Sequence, residues 1–357
     1  MNTQPKKLIV RFNFWYHPIM AERFSRQPDF ELRTCEITGS DDAAWAALAE
    51  AHAYQISSAK DELPRQWFAT SALLERCPKL LCVSTTGAGY DTVDVPACTQ
   101  AGVLVVNQAG ANAQSVAEHT IGFLLDVSRR LTECDRRLRR ERGFSREDIM
   151  GREITGKVLG LVGIGHIGRR VARMAAAFDM TVLAVDPYLT AEEIERRGAQ
   201  AVTLDELLRR SDFVSLHCPR VPDTLNMFDA AAFARMKQGA IFITTARGGI
   251  HDEAALLDAL ASGHLAGAGL DVWDVEPPPL DHPLISLDNV VATYHTAGVT
   301  PEARATMGSY AADQIIDVLR GGCPPRLLNP EAWPLYAKRF EAVMGVEPRR
   351  TKHLHQA

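Results

Sequence analysis

Short apolar, β-branched runs alternate with amphipathic stretches along most of the chain. The runs occupy residues 7–12, 53–57, 79–84, 103–107, 158–165, 181–186, 212–217, 240–245, 265–272 and 289–294. Strand patterns that alternate with helical patterns are typical of βαβ units and therefore of parallel sheets. We predict an α/β protein with two doubly wound domains.

Two long helical patterns interrupt this alternation. Residues 112–138 show a helical period with no strand, which predicts an interdomain helix. Residues 300–320 show a second one, with Pro301 in its first turn and Gly321 after its end, which are start and stop signals. The chain is therefore expected to leave one domain, build a second and return to the first. Residues 139–153 are charged and aperiodic, which favours a solvated connector.

Composition narrows the class of protein. Of the 357 residues, 46% are apolar, enough for a core in each domain. The 44 acidic and 39 basic side chains give a formal charge of −5, so we expect neither nucleic acid nor an anionic membrane as a partner. The seven cysteines are scattered without C-x-x-C spacing, which argues against disulfide bonds and a metal site and favours a cytoplasmic protein. No signal sequence or membrane span is predicted, because Arg11 interrupts the first apolar run and no run approaches about 18 residues.

A glycine-rich turn, VLGLVGIGHIGRRVA, lies between a predicted strand and a predicted helix. Gly163, Gly165 and Gly168 have G-x-G-x-x-G spacing, in which the first permits a tight turn, the second lets backbone amides approach a pyrophosphate and the third allows close helix–strand packing. Asp186 ends the next predicted strand, 18 residues after Gly168, where a carboxylate would bind the adenosine ribose hydroxyls. The same carboxylate would repel a 2′-phosphate, so we predict NAD as the cofactor, although two arginines further along the chain leave NADP open.

Three polar side chains follow three successive predicted strands. They are Arg247, Glu276 and His295, and ligands of open α/β sheets bind at the carboxyl ends of the strands. Arg247 can hold a carboxylate and its neighbouring carbonyl with a planar fork of donors. His295 can give a proton to the developing alkoxide, and Glu276 can fix the imidazole tautomer. Each residue alone has a structural explanation, but their joint placement favours catalytic roles for all three.

Five sequence segments together resemble a known family. GAGYDTVD, GLVGIGHIG, TTARGG, DVWDVEPPPLDHPL and HTAG occur in this order. Their order and spacing resemble the D-isomer-specific 2-hydroxyacid dehydrogenases over about residues 50–325. The resemblance implies that Arg247, Glu276 and His295 form the catalytic trio, in agreement with their predicted places at strand ends.

The resemblance also implies sites for the substrate and the cofactor. The backbone amides of Ala88 and Gly89 would bind the substrate carboxylate from the first domain, and Arg247 and His295 would complete the substrate site. The glycine motif and the resemblance together predict these cofactor-binding residues: Gly163, Gly165, His166, Ile167, Gly168, Asp186, His217, Cys218, Pro219, Thr224, Thr245, Ala246, Asp271, Ala297 and Gly298.

A discontinuous domain arrangement follows from the same resemblance. A Rossmann NAD-binding domain, residues 112–298 with the interdomain helix, would be inserted into a flavodoxin-like catalytic domain made of residues 1–111 and 299–335. Residues 336–357 would form a C-terminal tail. Family members usually form homodimers through the NAD domain, so we expect a homodimer whose other partner is a small 2-oxo or 2-hydroxy acid. The connecting helices are the expected hinges.

One position in the first domain narrows the range of candidate substrates. Ser57 occupies a place where phosphoglycerate dehydrogenases tend to carry an arginine. Losing that cation would weaken recognition of a substrate phosphate, which favours a small unphosphorylated 2-oxo acid of the glyoxylate or hydroxypyruvate type. D-3-phosphoglycerate dehydrogenase remains an alternative, since Lys60 or Arg65 could supply the missing charge.

The same scaffold also occurs in proteins with other functions. Formate dehydrogenases carry a glutamine in place of the catalytic glutamate, so Glu276 argues against that activity. An NAD(H)-sensing binding protein stays open, because the similar C-terminal-binding-protein corepressors keep the trio. Four positions carry residues that are unusual in the family motifs, and none of them removes a catalytic group: Arg220, Thr244, His251 and Tyr294. We expect structural or solvated roles for Arg220 and His251.

Overall fold

The computed structural model describes residues 6–14 and 16–349. Its strands are β1 (Lys7–Phe12), β2 (Phe30–Cys35), β3 (Ala53–Ile56), β4 (Cys82–Thr85), β5 (Leu104–Val106), β6 (Val158–Val162), β7 (Thr181–Val185), β8 (Gln200–Ala201), β9 (Phe213–Leu216), β10 (Ala240–Thr244), β11 (Leu265–Leu270) and β12 (Val290–Ala292). Its α-helices are α1 (Ile19–Ser25), α2 (Asp41–Ala49), α3 (Ser71–Arg76), α4 (Val95–Ala101), α5 (Ala113–Arg129), α6 (Leu131–Arg140), α7 (Gly168–Ala176), α8 (Ala191–Arg196), α9 (Leu204–Arg210), α10 (Ala230–Arg235), α11 (Glu253–Ala261), α12 (Pro283–Ser286), α13 (Pro301–Leu319) and α14 (Trp333–Met344). The chain divides into two compact units, with boundaries at Asn112/Ala113 and Val299/Thr300.

The first unit is a five-stranded parallel sheet with helices on both faces. Its strand order is β2-β1-β3-β4-β5, the flavodoxin-like order. Successive strand residues point to opposite faces, so Ile9 packs with α1, α13 and α14, whereas Val10 packs with α2, α3 and α4. Because both faces are covered, the central strands are continuous apolar runs, which is why they were predictable from the sequence.

The second unit is a seven-stranded parallel sheet in the order β12-β11-β10-β9-β6-β7-β8. The order reverses between β6 and β9, as in Rossmann folds, where the crevice at the carboxyl ends of these strands is the ligand site. Helices α5 and α7 pack on one face around Leu159, and α9 to α12 pack on the other face around Phe242. The predicted fold class, two doubly wound units with a Rossmann unit inserted into a flavodoxin-like one, is confirmed.

The single interdomain helix predicted over residues 112–138 is wrong, because two helices occupy this stretch. Arg130 has a left-handed backbone (φ 52°), which ends α5 and starts α6. The carboxylate of Asp126 stabilises the break by accepting hydrogen bonds from Thr132 N (2.8 Å) and Thr132 Oγ1 (2.6 Å). Helical period alone does not detect a left-handed residue between two amphipathic segments.

Two strands were not predicted, and both lie at sheet edges. Only Phe30 of β2 is fully buried, so this strand lacks the apolar run that marks a central strand. Strand β8 is two residues long. Edge strands of this kind carry too little apolar signal for a pattern search to find them.

Residues 336–357, predicted to be a tail, begin inside α14 rather than after the last element. Tyr336 and Phe340 of this helix are buried in the first unit, and Tyr336 Oη donates a hydrogen bond to Val318 O (2.6 Å). Residues 350–357 lie outside the described residues. None of the helices in the described ranges combines the length and apolar character needed to cross a bilayer.

Candidate functional site

The glycine turn joins β6 to α7 at the point where the Rossmann strand order reverses. Gly163 has φ +92°, its N–H donates to Val185 O (2.8 Å), and a Cβ there would lie 3.0 Å from the backbone of His217. A Cβ on Gly168 would collide with the Gly163 carbonyl oxygen. A Cβ on Gly165 would instead meet no atom within 4 Å. Two glycines therefore permit packing, while the third leaves open space where a dinucleotide pyrophosphate can approach the backbone.

Asp186 follows β7 and is tied directly to the glycine turn. Its Oδ2 accepts a hydrogen bond from Ile164 N (3.1 Å), and its Oδ1 accepts one from Tyr188 N (3.2 Å). Arg197 also reaches the turn, where its Nη1 donates to Ile164 O (2.9 Å). The acid thus lies beside the turn, as a ribose-binding carboxylate must, and the guanidinium of Arg197 contacts the same turn.

His217 and the residues after it follow β9 on the other side of the reversal. Burial lowers the pKa of His217 to about 3, so its ring is neutral. The ring Nε2 contacts Ser215 Oγ (3.0 Å), whereas the buried Nδ1 has no hydrogen-bond partner among the described residues. An orphaned buried nitrogen at this place is available to a bound group. Together with the open space at Gly165, it shows that the residues present fit a dinucleotide.

Several other predicted cofactor residues at the carboxyl ends of these strands form hydrogen bonds within the chain or are buried. Thr224 Oγ1 donates to Pro219 O (2.7 Å) and accepts from Val221 N (2.9 Å), which holds the loop after β9. Burial raises the pKa of Cys218 to about 11, which keeps its thiol protonated. The hydroxyl of Thr245 is buried beside that of Thr120 (3.3 Å).

His295 and Glu276 form a hydrogen-bonded pair after β12 and β11. His295 Nδ1 lies 2.9 Å from Glu276 Oε2, and Trp273 N donates to Glu276 Oε1 (3.1 Å). Burial alone raises the pKa of Glu276, but the hydrogen bond and charge of His295, the Trp273 amide and the charge of Arg247 bring it below its ordinary value. Glu276 is therefore ionised, and because it engages Nδ1, the other ring nitrogen of His295 is the one that can meet a substrate.

The turn that carries His295 is held by Asp271, a residue whose structural role the sequence did not reveal. His295 has a left-handed φ of 46°, and its N–H donates to Asp271 O (2.6 Å). The buried Asp271 carboxylate accepts from Thr293 Oγ1 (2.6 Å), Thr296 N (2.8 Å) and Ala297 N (3.1 Å). It thereby organises the whole turn that presents the imidazole.

His119 of α5 extends this network, and sequence reasoning missed it. Its Nε2 lies 3.0 Å from Thr293 Oγ1. Because the single hydroxyl proton of Thr293 goes to Asp271, His119 Nε2 must be the donor of this bond. Burial lowers the pKa of His119, while the charge of Asp271 opposes this. Its position inside a helical pattern carried no local signal of such a contact.

Arg247 follows β10, next to the Glu276 loop. Its Nη1 donates to Ala246 O (2.7 Å), and the backbone of Gly248 lies so close to the Trp273 carbonyl that a Cβ there would collide with it. Since the charge of Arg247 also acts on Glu276, the structure brings the predicted trio together at one edge of the second unit. The predicted carboxylate-binding residues Ala88 and Gly89 follow β4 in the first unit, where Asn107 Nδ2 donates to Ala88 O (2.8 Å).

His251, one of the residues that are unusual in the family motifs, has no exposed surface. Neither of its ring nitrogens has a hydrogen-bond partner among the described residues, and the ring packs 5.5 Å from that of Phe242. Burial lowers its pKa to about 4. The structure therefore gives His251 a core position rather than a substrate contact.

We expect His251 to make the fold sensitive to acid. Its folded pKa of about 4 lies below the ordinary unfolded value of about 6.5, so the unfolded chain binds more protons between these limits. The stability present above pH 6.5 is lost as the pH falls toward 4, by about 2 kcal/mol at pH 5. His251→Leu should raise the melting temperature more at pH 5 than at pH 8. An equal change at both pH values would contradict the buried neutral ring.

A Rossmann sheet that combines an open glycine turn, an acid on that turn and a histidine–glutamate pair at the same edge defines a dinucleotide-dependent class of protein. Residues 121–297 match the family model described as "D-isomer specific 2-hydroxyacid dehydrogenase, NAD binding domain". The chain belongs to this family, as the sequence motifs predicted, and it contains the family's NAD-binding domain.

Similar proteins fall into more than one group. A D-3-phosphoglycerate dehydrogenase of Archaeoglobus fulgidus is 40% identical over 249 residues, which are 70% of this chain and 47% of the relative. A glyoxylate reductase of Korarchaeum cryptofilum is 39% identical over 262 residues, 72% of this chain and 79% of the relative. The crystal structure of D-lactate dehydrogenase from Aquifex aeolicus complexed with NAD and lactic acid has a TM-score of 0.77 and 27% identity, and the match covers 90% of this chain and 98% of that one. The chain thus spans about half the length of the phosphoglycerate dehydrogenases it matches.

Proposed function

We propose that the protein is an NAD-dependent oxidoreductase that interconverts a 2-oxo acid and a D-2-hydroxy acid. The observation that carries the proposal is the pair of His295 Nδ1 and Glu276 Oε2, 2.9 Å apart, beside Arg247 in the NAD-binding domain. An imidazole aligned by an ionised carboxylate is an acid–base device, and a neighbouring guanidinium suits an anionic carbonyl substrate. The family membership and the names of its relatives agree with this chemistry.

The residues of the trio divide the work of carbonyl reduction. When bound, NADH would supply a hydride to the carbonyl carbon. His295 gives the proton from Nε2 to the carbonyl oxygen, so that hydride and proton together turn C=O into CH–OH, and it takes the proton back in the reverse direction. Glu276 stabilises the protonated ring, and Arg247 binds the substrate carboxylate and polarises the carbonyl with its paired donors.

We assign the surrounding residues accordingly. The amides of Ala88 and Gly89 bind the substrate carboxylate from the first unit. The glycine turn would hold the cofactor, Asp186 would bind its ribose, and the residues after β9, β10 and β12 would hold the nicotinamide half. Asp186 favours NAD over NADP, because its carboxylate would repel a 2′-phosphate.

A small unphosphorylated 2-oxo acid is the proposed substrate class. Ser57, where an arginine would favour a phosphate, donates its hydroxyl to the Glu62 carboxylate. This pair places an anion where a phosphate-binding protein needs a cation, and like charges repel. D-3-phosphoglycerate dehydrogenase is the second candidate, supported by the relatives that carry this name. Its phosphate would have to be met by other cations such as the exposed Lys60 and Arg65.

The direct test is loss of NADH absorbance by purified protein with glyoxylate, hydroxypyruvate, phosphohydroxypyruvate, pyruvate and bulkier 2-oxo acids, with NADPH as a control. Turnover of an unphosphorylated acid with NADH is the expected result. Preference for phosphohydroxypyruvate would favour the second candidate. Tight NADH binding with no turnover of any acid would overturn the proposed reaction and favour an NAD(H)-sensing protein.

The glycine turn offers a matched pair of variants. Gly165→Ala adds a methyl in open space, so we expect an unchanged melting temperature but at least tenfold weaker NADH binding, a loss of about 1.4 kcal/mol. Gly168→Ala forces a collision with the Gly163 carbonyl and should lower the melting temperature of the protein even without NADH. Calorimetric titration with NADH and thermal unfolding separate the two effects. Normal NADH affinity of Gly165→Ala would argue against the pyrophosphate site.

We also propose a cytoplasmic homodimer that associates through the NAD-binding domain. Leu131 and Leu138 lie seven residues apart on α6 and are 56% and 60% exposed, and Met150 beyond the helix is 67% exposed. Three large apolar side chains on one segment suit a protein interface. The free state of all seven cysteines agrees with a reducing compartment. Light scattering should give twice the chain mass, and Leu138→Glu should shift it toward the monomer.

A further inference from the structure

A small cavity with both apolar and polar lining residues lies in the first unit, apart from the residues assigned above. Its volume is about 20 Å³, enough for one water-sized group. Tyr16, Gln55, Thr86, Arg304 and Met307 contribute to its lining.

The cavity lies where this type of sheet binds ligands. The strand order β2-β1-β3-β4-β5 reverses direction between β1 and β3, and the crevice at the carboxyl ends of those strands is the general ligand position. Tyr16 follows the end of β1, and Gln55 is the penultimate residue of β3. Thr86 directly follows β4. The carboxyl-terminal ends of three neighbouring strands, with the loops that follow them, thus converge on the cavity.

Two buried polar atoms of the cavity have no hydrogen-bond partner in the part of the chain that the structure describes. Gln55 is only 1% exposed, and its side-chain Oε1 accepts no hydrogen bond from any of the described residues. The same holds for the buried hydroxyl oxygen of Tyr16. Leaving a buried polar group without a hydrogen bond costs folding free energy, so such groups in proteins normally pair with a protein group, a water molecule or a ligand. A ligand atom that pairs with both would remove this cost.

The two groups are complementary to a hydroxyl. Burial raises the pKa of Tyr16, so its phenol keeps its proton and can donate, while Gln55 Oε1 can only accept. A ligand hydroxyl can both donate and accept, as a water molecule of the same size can. The Tyr16 ring is fixed under the Arg11 guanidinium, 4.4 Å from ring centre to Cζ, so the donor is held in place. Arg304, whose charge acts on Tyr16, adds a further donor to the cavity wall.

The cavity borders the loop proposed to hold the substrate carboxylate. Thr86 lines it, and a Cβ on Gly87 would lie 3.7 Å from Sδ of the cavity residue Met307. Ala88 and Gly89 are the next two residues of the same loop. A group bound in the cavity would therefore sit beside the substrate carboxylate loop.

We propose that this cavity is a specificity subsite that binds the neutral hydroxyl at C3 of a 3-hydroxy-2-oxo acid. The inference rests on the proposed function and selects, among small 2-oxo acids, those with a hydroxyl next to the carbonyl carbon. Its size and the nearby Glu62 carboxylate disfavour a phosphate at the same place.

The test compares hydroxypyruvate with glyoxylate, which has no C3. Tyr16→Phe and Gln55→Leu should each lower kcat/KM for hydroxypyruvate about 5–10-fold, the effect of one neutral hydrogen bond, and leave kcat/KM for glyoxylate unchanged. Because the Tyr16 hydroxyl and Gln55 Oε1 have no hydrogen-bond partner among the described residues, neither variant should lower the melting temperature. Tyr310→Phe, on α13 but outside the cavity lining, is the control and should change neither substrate.

The outcomes separate this subsite from the proposed function. Equal losses for both acids, or no loss, would overturn the subsite while turnover by the wild type upholds the oxidoreductase. If the wild type prefers phosphohydroxypyruvate and the variants lose that preference, the subsite binds a phosphate and not a hydroxyl. If the wild type reduces none of the acids, the proposed function fails. The subsite is then tested by calorimetric measurement of D-glycerate and glycolate binding. Tighter binding of D-glycerate than of glycolate, lost in Tyr16→Phe, would support it, and equal binding would overturn it.

Discussion

Replacing His295 by alanine is expected to lower kcat for 2-oxo acid reduction about 10²–10⁴-fold, the usual contribution of a positioned general acid. The structure gives the ring a single aligned orientation through Glu276, and no other titratable ring shares this pair in the described part of the chain. NADH binding should be largely unchanged, because the side chain is partly exposed and is not needed to form the glycine turn. Stopped-flow or steady-state reduction of the best 2-oxo acid, with a separate NADH titration, measures both quantities.

A second histidine of the same unit provides the control. His264 lies just before β11, at the opposite edge of the sheet from His295, and contacts Gln238 and the Phe233 carbonyl. His264→Ala should retain the wild-type kcat. If His295→Ala also retained it, the histidine would have no acid–base role and the proposed mechanism would fail.

The sequence predicted the framework of this site well, for a physical reason. Both sheets are covered by helices, so their central strands are unbroken apolar runs, and the polar residues that end those runs stand out. Arg247, Glu276 and His295 were found in this way, and the structure brings them together. The glycine spacing was equally visible, since it reflects backbone geometry that only glycine permits at Gly163.

Contacts between residues distant in sequence were not predictable in this way. Asp271 was expected only to line the cofactor site, whereas both of its carboxylate oxygens accept hydrogen bonds from the turn that carries His295. His119 joins the same network from a helix, through a contact with Thr293 that spans 174 positions of the chain. The unsatisfied Gln55 and Tyr16 atoms are also a property of packing, because a buried glutamine and a surface one look alike in a sequence.

Arg247 is the residue whose chemistry can be dissected most sharply by substitution. Arg247→Met removes the planar pair of donors proposed to bind the substrate carboxylate and carbonyl. A hydrogen bond to a charged group contributes about 1.5–3 kcal/mol, so losing two should lower kcat/KM about 10²–10⁴-fold. Arg247→Lys keeps the charge but loses the fork, and should fall between this variant and the wild type.

Arg220 of the same unit supplies the matched control for this experiment. Its Nη1 lies 3.4 Å from Gly248 O, one residue from Arg247, yet its side chain belongs to the loop after β9. Arg220→Lys should leave kcat/KM nearly unchanged with unsubstituted and hydroxylated 2-oxo acids alike. If Arg247→Lys were equally harmless, a point charge alone would suffice, and the paired hydrogen bonds would not be the basis of carboxylate recognition. If Arg247→Met raised KM without lowering kcat, Arg247 would contribute only to ground-state binding and not to carbonyl polarisation in the transition state.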